Sequence, residues 1–170
     1  MIFKFLSKNF YISFSIVALI YFLDRLTKIY VIQLDKNNLG SDIFNSAYLN
    51  IVLIWNKGIA FGLFSFDESH LYNILSLIIS IIVVILVIMS LKSQGFKRYS
   101  LLMIVGGAIG NLHDRIFFGA VPDFIDFHVG NFHWFIFNVS DIFITLGVIS
   151  MIILELADNK TKKKDNDKNY

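Results

Sequence analysis

Leu77-Ile78-Ile79-Ser80-Ile81-Ile82-Val83-Val84-Ile85-Leu86-Val87-Ile88-Met89 lies inside a stretch, Ser69 to Leu91, that contains no Asp, Glu, Lys or Arg. A spanning helix needs about 20 apolar residues, and this run supplies them. Three further stretches are nearly as apolar: about Phe10 to Leu34, Tyr99 to Phe118, and Trp134 to Leu156. The chain of 170 residues is 56% hydrophobic and only 16% charged, and its mean hydropathy is +0.66. Soluble domains are nearer a quarter charged. The sequence therefore predicts an all-α membrane protein of four transmembrane helices. It is expected to form a single domain over residues 1–158, followed by a basic tail at 159–170.

Lys and Arg set the orientation. Lys4 and Lys8 precede the first helix, Lys92, Lys97 and Arg98 separate the second and third, and Lys160, Lys162, Lys163, Lys164 and Lys168 follow the fourth. The positive-inside rule then puts both termini in the cytoplasm. The first helix has basic residues before an apolar run, as a signal peptide does, but it offers no small-x-small cleavage site, and an uncleaved helix is expected. The outer connections are about Asp35 to Glu68 and Gly119 to His133. The longer contains Ala47-Tyr48-Leu49-Asn50-Ile51-Val52-Leu53-Ile54-Trp55, β-branched and aromatic, followed by Asn56-Lys57-Gly58, and predicts a small extracytoplasmic sheet between helices 1 and 2. The tail reads as disordered and held near anionic lipid.

Three polar clusters interrupt the apolar pattern: Gly106-Gly107-Ala108-Ile109-Gly110-Asn111-Leu112-His113-Asp114-Arg115, Val121-Pro122-Asp123-Phe124, and Phe137-Asn138-Val139-Ser140-Asp141. Charge inside a membrane is unfavourable and usually functional. Counting from Trp134 puts Asp141 about seven residues into the fourth helix, roughly 10 Å deep at 1.5 Å per residue. The third helix runs outward and brings Asn111, Asp114 and Arg115 to a similar level, and the first brings Asp24. Asp123 lies in the loop above, and Asn138 precedes Asp141 by one turn. Topology thus gathers these residues near the outer membrane boundary.

Several of them have plain structural readings. Asp24 and Lys28 form an i, i+4 pair. Asp114 and Arg115 read as an interfacial ion pair with snorkelling side chains, and the glycines as close helix packing. Asp126 reads as a solvated bystander. Asp123 and Asp141 have no basic residue at i±3 or i±4, so local pairing does not account for them. Two such carboxylates close together share a proton: one serves as base on water, the other as acid toward a carbonyl. That chemistry needs no metal and no cofactor. Four histidines without a His-Glu-x-x-His spacing argue against a zinc protease, and the absence of cysteine excludes thiol chemistry. Ser140 has no Lys or His partner at a suggestive position. No nucleotide motif or nucleic-acid-binding face is present. A non-enzymatic helical scaffold and a proton-coupled transporter are the competing readings, but a transporter's acids would spread across the bilayer rather than gather at one face.

The motifs Asp24-x-x-Thr27-Lys28, Asn56-x-Gly58-x-Ala60-Phe61, the Gly106–Arg115 run, Val121-x-Asp123-Phe124 and Phe137-Asn138-x-Ser140-Asp141 occur in this order along the chain. In this the chain resembles the lipoprotein signal peptidases, the bacterial signal peptidase II family. The resemblance implies an intramembrane aspartyl endopeptidase that cuts prolipoproteins just before a diacylglyceryl-modified cysteine and is inhibited by globomycin. It implies a catalytic dyad at Asp123 and Asp141. Substrate-binding or supporting roles fall to Asp24, Lys28, Asn56, Gly58, Asn111, Asp114, Arg115, Asn138 and Ser140. Membrane lipid is the expected surrounding and a monomer the expected state. Ser140 stands where Ala is usual, and Lys57 and Ile59 replace smaller residues after the loop asparagine.

Overall fold

The computed structural model describes residues 8–37, 43–58 and 69–167. Seven elements follow one another: α1 (Lys8–Asn37), β1 (Leu49–Asn56), α2 (Ser69–Lys92), α3 (Gly95–Phe118), β2 (Val121–Val129), β3 (Phe132–Phe137) and α4 (Val139–Asp167). The four helices are each long and apolar enough to cross a membrane. The strands form one antiparallel sheet in the order β1-β2-β3. Ala60 and Phe61 of the loop motif lie outside the described residues.

α3 is the central helix and packs against α4, α1 and α2. Half of its span is buried, 50% against 11% for α2. Glycine makes this possible. A Cβ on Gly106 would meet Ile20 of α1 at 2.9 Å, and one on Gly107 would strike the Ser140 carbonyl oxygen of α4. Gly147 of α4 returns the contact, its Cβ position lying 2.7 Å from the Ser100 carbonyl oxygen of α3. Small residues let membrane helices approach backbone to backbone, which is where their packing energy comes from.

Burial is inverted relative to a soluble protein. Leu77, Ile81, Val84 and Ile85 of α2 are exposed, as are Leu19, Leu26 and Ile29 of α1, as befits faces turned toward lipid. The largest fully buried side chains include Lys28, Asn138, Asp24 and Asp114.

The structure corrects four expectations. The sheet is not confined to the connection between helices 1 and 2, because β2 and β3 come from the connection between α3 and α4. Helix 4 begins at Val139, not Trp134, because Phe132–Phe137 is strand β3. The apolar run is continuous across that boundary, so hydropathy hides it. The hairpin signal was nonetheless present in Gly130-Asn131, a two-residue turn with Gly130 at φ 59°, preceded and followed by aromatic and β-branched residues. Helix 3 starts at Gly95 rather than Tyr99. Finally, α4 continues to Asp167 instead of giving way to a disordered tail; no Gly or Pro interrupts it after Leu156.

Both strand pairings carry a bulge. From Ile51 to Ile54, β1 uses three residues where β2 uses two, Ile125 to Asp123. From His133 to Ile136, β3 does the same against Asp126 to His128. A bulge reverses which face later side chains occupy.

Candidate active site

At its outer end α3 stops at Gly119, which takes the left-handed conformation (φ 67°) that closes a helix. The chain then turns directly into β2, which carries Asp123. After the hairpin it re-enters through Asn138, which caps α4. The Asn138 Oδ1 accepts the Asp141 backbone N–H at 3.1 Å, and the Asn138 backbone N–H donates to Asp141 Oδ2 at 3.2 Å. This is a capping box with Asn and Asp in its two positions. It puts Asp141 in the first turn of α4, nearer the boundary than counting from Trp134 suggested.

Among the described residues, Asp123 and Asp141 are held by amides. Asn138 Nδ2 donates to Asp123 Oδ1 at 2.6 Å and Asn56 Nδ2 to Asp123 Oδ2 at 2.8 Å. Asn111 Nδ2 donates to Asp141 Oδ1 at 2.8 Å. Each asparagine has its own carbonyl oxygen occupied by another donor: the Gly58 N–H on Asn56 (2.7 Å), Lys28 Nζ on Asn111 (2.9 Å), and the Asp141 N–H on Asn138. With the oxygen engaged, only the NH2 group is left to face the carboxylate. Three neutral amides are thus fixed as donors to two acids.

The bulge in β1 contributes directly. Asn50 and Asn56 are an even number of residues apart and would share a face in a regular strand. The extra residue between Ile51 and Ile54 sends them to opposite faces. Asn50 bonds Asp126 at 3.2 Å, while Asn56 bonds Asp123.

A second charged group adjoins the first. Lys28 Nζ lies 2.9 Å from Asp24 and 2.7 Å from Asp114, and Arg25 lies 2.5 Å from Asp114 and 3.3 Å from Asp24. Asp24, Lys28 and Asp114 have no exposure to solvent at all. Asp24 also accepts the Ser140 backbone N–H at 3.0 Å, tying α1 to the start of α4. The expected Asp114–Arg115 ion pair does not form. Asp114 turns to Arg25 and Lys28 of α1 instead. Arg115 donates to the carbonyls of Gly58 (2.8 Å) and Asn111 (3.2 Å), fastening the outer loop to α3. Asp126 is not a solvated bystander either. It is buried, 2.8 Å from His133 Nδ1.

Burial, reinforced by the nearby charge of Asp141, pushes the Asp123 carboxyl up from 3.8 to about 6; the amides of Asn56 and Asn138 pull the other way without overcoming it. Asp123, Asp141, Asn56, Asn111, Asn138 and Arg115 line one end of a cavity of about 480 Å³. Its remainder is apolar, walled by Ile79 of α2, Ala108 of α3, and Ile144, Val148 and Ile149 of α4. The site therefore joins a pair of acids to a channel that suits hydrocarbon.

The predicted residues Asp24, Lys28, Asn56, Gly58, Asn111, Asp114, Arg115, Asp123, Asn138, Ser140 and Asp141 form one connected network. Arg25, which joins it through Asp114, was not singled out from the sequence. Its signal was its place beside Asp24 within an otherwise apolar helix.

Comparison with known proteins agrees with this arrangement. The family model described as Signal peptidase (SPase) II matches residues 16–157. The lipoprotein signal peptidase of Pelagibacter ubique (strain HTCC1062) is 49% identical over 162 residues, covering 95% of this chain and 96% of the relative. That of Anaplasma phagocytophilum (strain HZ) is 42% identical over 147 residues, covering 85% and 92%. A bacterial membrane enzyme solved by the in meso method at 2.3 Å resolution superposes with a TM-score of 0.71 at 30% identity, covering 88% of this chain and 90% of that one. A match running from α1 to α4, through every element that builds the polar network, means that the chain belongs to the signal peptidase II family.

Proposed function

We propose that the protein is an intramembrane aspartyl endopeptidase. It removes the signal peptide from prolipoproteins by cutting just before the diacylglyceryl-modified cysteine, with Asp123 and Asp141 as the catalytic pair. The observation that carries this reading is that two acids, Asp123 buried and Asp141 half-buried, face one cavity and, among the described residues, have amides as their direct partners. Charge balance supports it. Among the described residues, the ion pairs and hydrogen bonds given above join the carboxylates of Asp24, Asp114, Asp123 and Asp141 to the cations Arg25, Lys28 and Arg115. Four negative groups against three positive ones leave a single charge uncompensated in a poorly solvated place. One proton on the pair restores neutrality.

In this mechanism the proton rests on Asp123. Asp141, at the start of α4, sits where the helix dipole favours an anion. Asp141 takes a proton from a water molecule, which attacks the scissile carbonyl. Asp123 gives its proton to the carbonyl oxygen as negative charge develops there. As the C–N bond breaks, Asp141 passes the proton it took from water to the leaving amine, and a hydroxyl of the tetrahedral intermediate returns its proton to Asp123 as the new carboxyl forms. Asn56, Asn111 and Asn138 hold the carboxyls in register, and Arg115 keeps the loop at Gly58 above them. The apolar end of the cavity accepts acyl chains or the signal peptide from the bilayer. Both termini are cytoplasmic and the site opens near the outer face, where the lipidated cysteine is held. The enzyme acts as a monomer, and globomycin-type inhibitors compete for the same cavity.

The test follows cleavage of a diacylated prolipoprotein by the purified enzyme. Asp123→Asn and Asp141→Asn should each slow it by on the order of 10²- to 10⁴-fold, the usual range for losing an acid/base group. Wild-type rates in both variants would overturn the assignment. Cleavage should persist in EDTA, since no step uses a metal ion.

A further inference from the structure

We propose that Asp126, His128 and His133 form a binding site for a divalent transition-metal ion of the zinc type on the sheet, separate from the catalytic pair. One ligand atom from each residue lies within 4.8 Å of the others. His128 and His133 are cross-strand partners, their rings 5.0 Å apart and inclined by only 20°. The two-residue Gly130-Asn131 turn sets this pairing, with Val129 opposite Phe132 and His128 opposite His133.

Two features argue for a missing ligand rather than an ordinary ion pair. The Nδ1 of His128 is buried and has no hydrogen-bond partner among the described residues, an unfavourable state that a metal ion would relieve. Asp126, itself 3% exposed, is bonded by Asn50 at 3.2 Å, the kind of outer contact that orients a ligating carboxylate. Its Oδ2 stands 2.8 Å from His133 Nδ1. That is a few tenths of an ångström short of the ~3.3 Å edge of a tetrahedron with ~2.0 Å bonds, so a small ring rotation seats an ion. Two imidazoles and one carboxylate suit Zn²⁺, Co²⁺ or Ni²⁺ and not Ca²⁺ or Mg²⁺. The His133 side chain is 54% exposed, leaving a route in and an open position for water.

By alternation along β2, Asp126 and His128 face away from Asp123. The ion would pin β2 to β3 beyond the Gly130-Asn131 turn, and with it the strand that carries Asp123. Its role is to stiffen the sheet and not to take part in hydrolysis.

The untagged full-length protein, free of polyhistidine, is titrated with Co²⁺ in detergent and followed by visible absorption, then challenged with Zn²⁺. One Co²⁺ per chain is expected, displaced by Zn²⁺. Binding should weaken at least tenfold in His128→Gln and in His133→Gln, whereas Asp123→Asn binds as wild type even though it no longer cleaves substrate. Equal binding by the wild type and the His128→Gln/His133→Gln double variant overturns the proposal. Imidazole ¹⁵N resonances of the wild type give the same answer without any variant. Those of His128 and His133 should shift on adding Zn²⁺, and unmoved resonances overturn the proposal.

Discussion

Asn111 stands between two pairs of carboxylates that have very different company. On its oxygen side, Lys28 and Arg25 hold Asp24 and Asp114 in a neutral cluster with no solvent exposure of either acid. On its nitrogen side, among the described residues, Asp141 and its neighbour Asp123 receive amide and backbone donors. The residue types are the same, and both pairs belong to one network. Cations tie a carboxylate into a fixed ion pair and turn it into a structural member. Amides hold a carboxylate in place but leave its proton free to move. In a membrane enzyme the direct partners of an acid say more about its work than its depth does.

Exchanging the two kinds of behaviour gives the largest effects. Asp123→Asn should abolish most cleavage while leaving thermal unfolding in detergent nearly unchanged, since a neutral amide replaces an unpaired acid. Lys28→Met should do the opposite. It strips Asp24 and Asp114 of their shared cation, and breaking a buried pair costs about 3–5 kcal/mol. A large fall in unfolding temperature is the expected readout. If Lys28→Met were as stable as wild type, the structural role of the first cluster would be wrong. Gly107→Ala comes next. Its Cβ meets a backbone carbonyl that cannot swing away, and overpacking of this kind costs about 1–3 kcal/mol.

The pH behaviour refines the contrast. Folding raises the Asp123 carboxyl from 3.8 to about 6, so the folded protein prefers the protonated form. The stability contributed by this group is fully present below 3.8 and is lost as pH rises toward about 6. The free enzyme's kcat/KM should likewise fall as that proton leaves. Infrared titration of the carboxyl band should show Asn56→Ala moving the transition upward and Asp141→Asn moving it downward. The opposite directions would refute the causes given. The smallest effect belongs to the lipid-facing side: Val84→Leu on α2, 57% exposed within the bundle, should change stability by less than ~0.5 kcal/mol.

Much of this was legible in the sequence because membrane depth is a one-dimensional quantity. Four apolar runs and the direction of each were enough to bring Asp24, Asn111, Asp114, Asn138 and Asp141 to one level. Pairing across helices was less legible. Asp114 had Arg115 beside it in the chain, yet its partners came from α1, a choice that depends on how closely α3 approaches through Gly106 and Gly110. The β2–β3 hairpin was hidden because Phe132–Phe137 is as apolar as the helix that follows it. Without that hairpin, Asp126 had no visible neighbour and looked solvated.

The bulge between Ile51 and Ile54 has a consequence for how this loop tolerates change in length. Replacing any one of those residues with another apolar side chain leaves Asn56 facing Asp123. Deleting a single residue there would remove the bulge yet keep both flanking registers, Asn50 opposite Asp126 and Asn56 opposite Val121, so Asn56 would still face Asp123. Along this short segment, relatives should therefore vary freely in residue type and also be able to lose the one bulged residue.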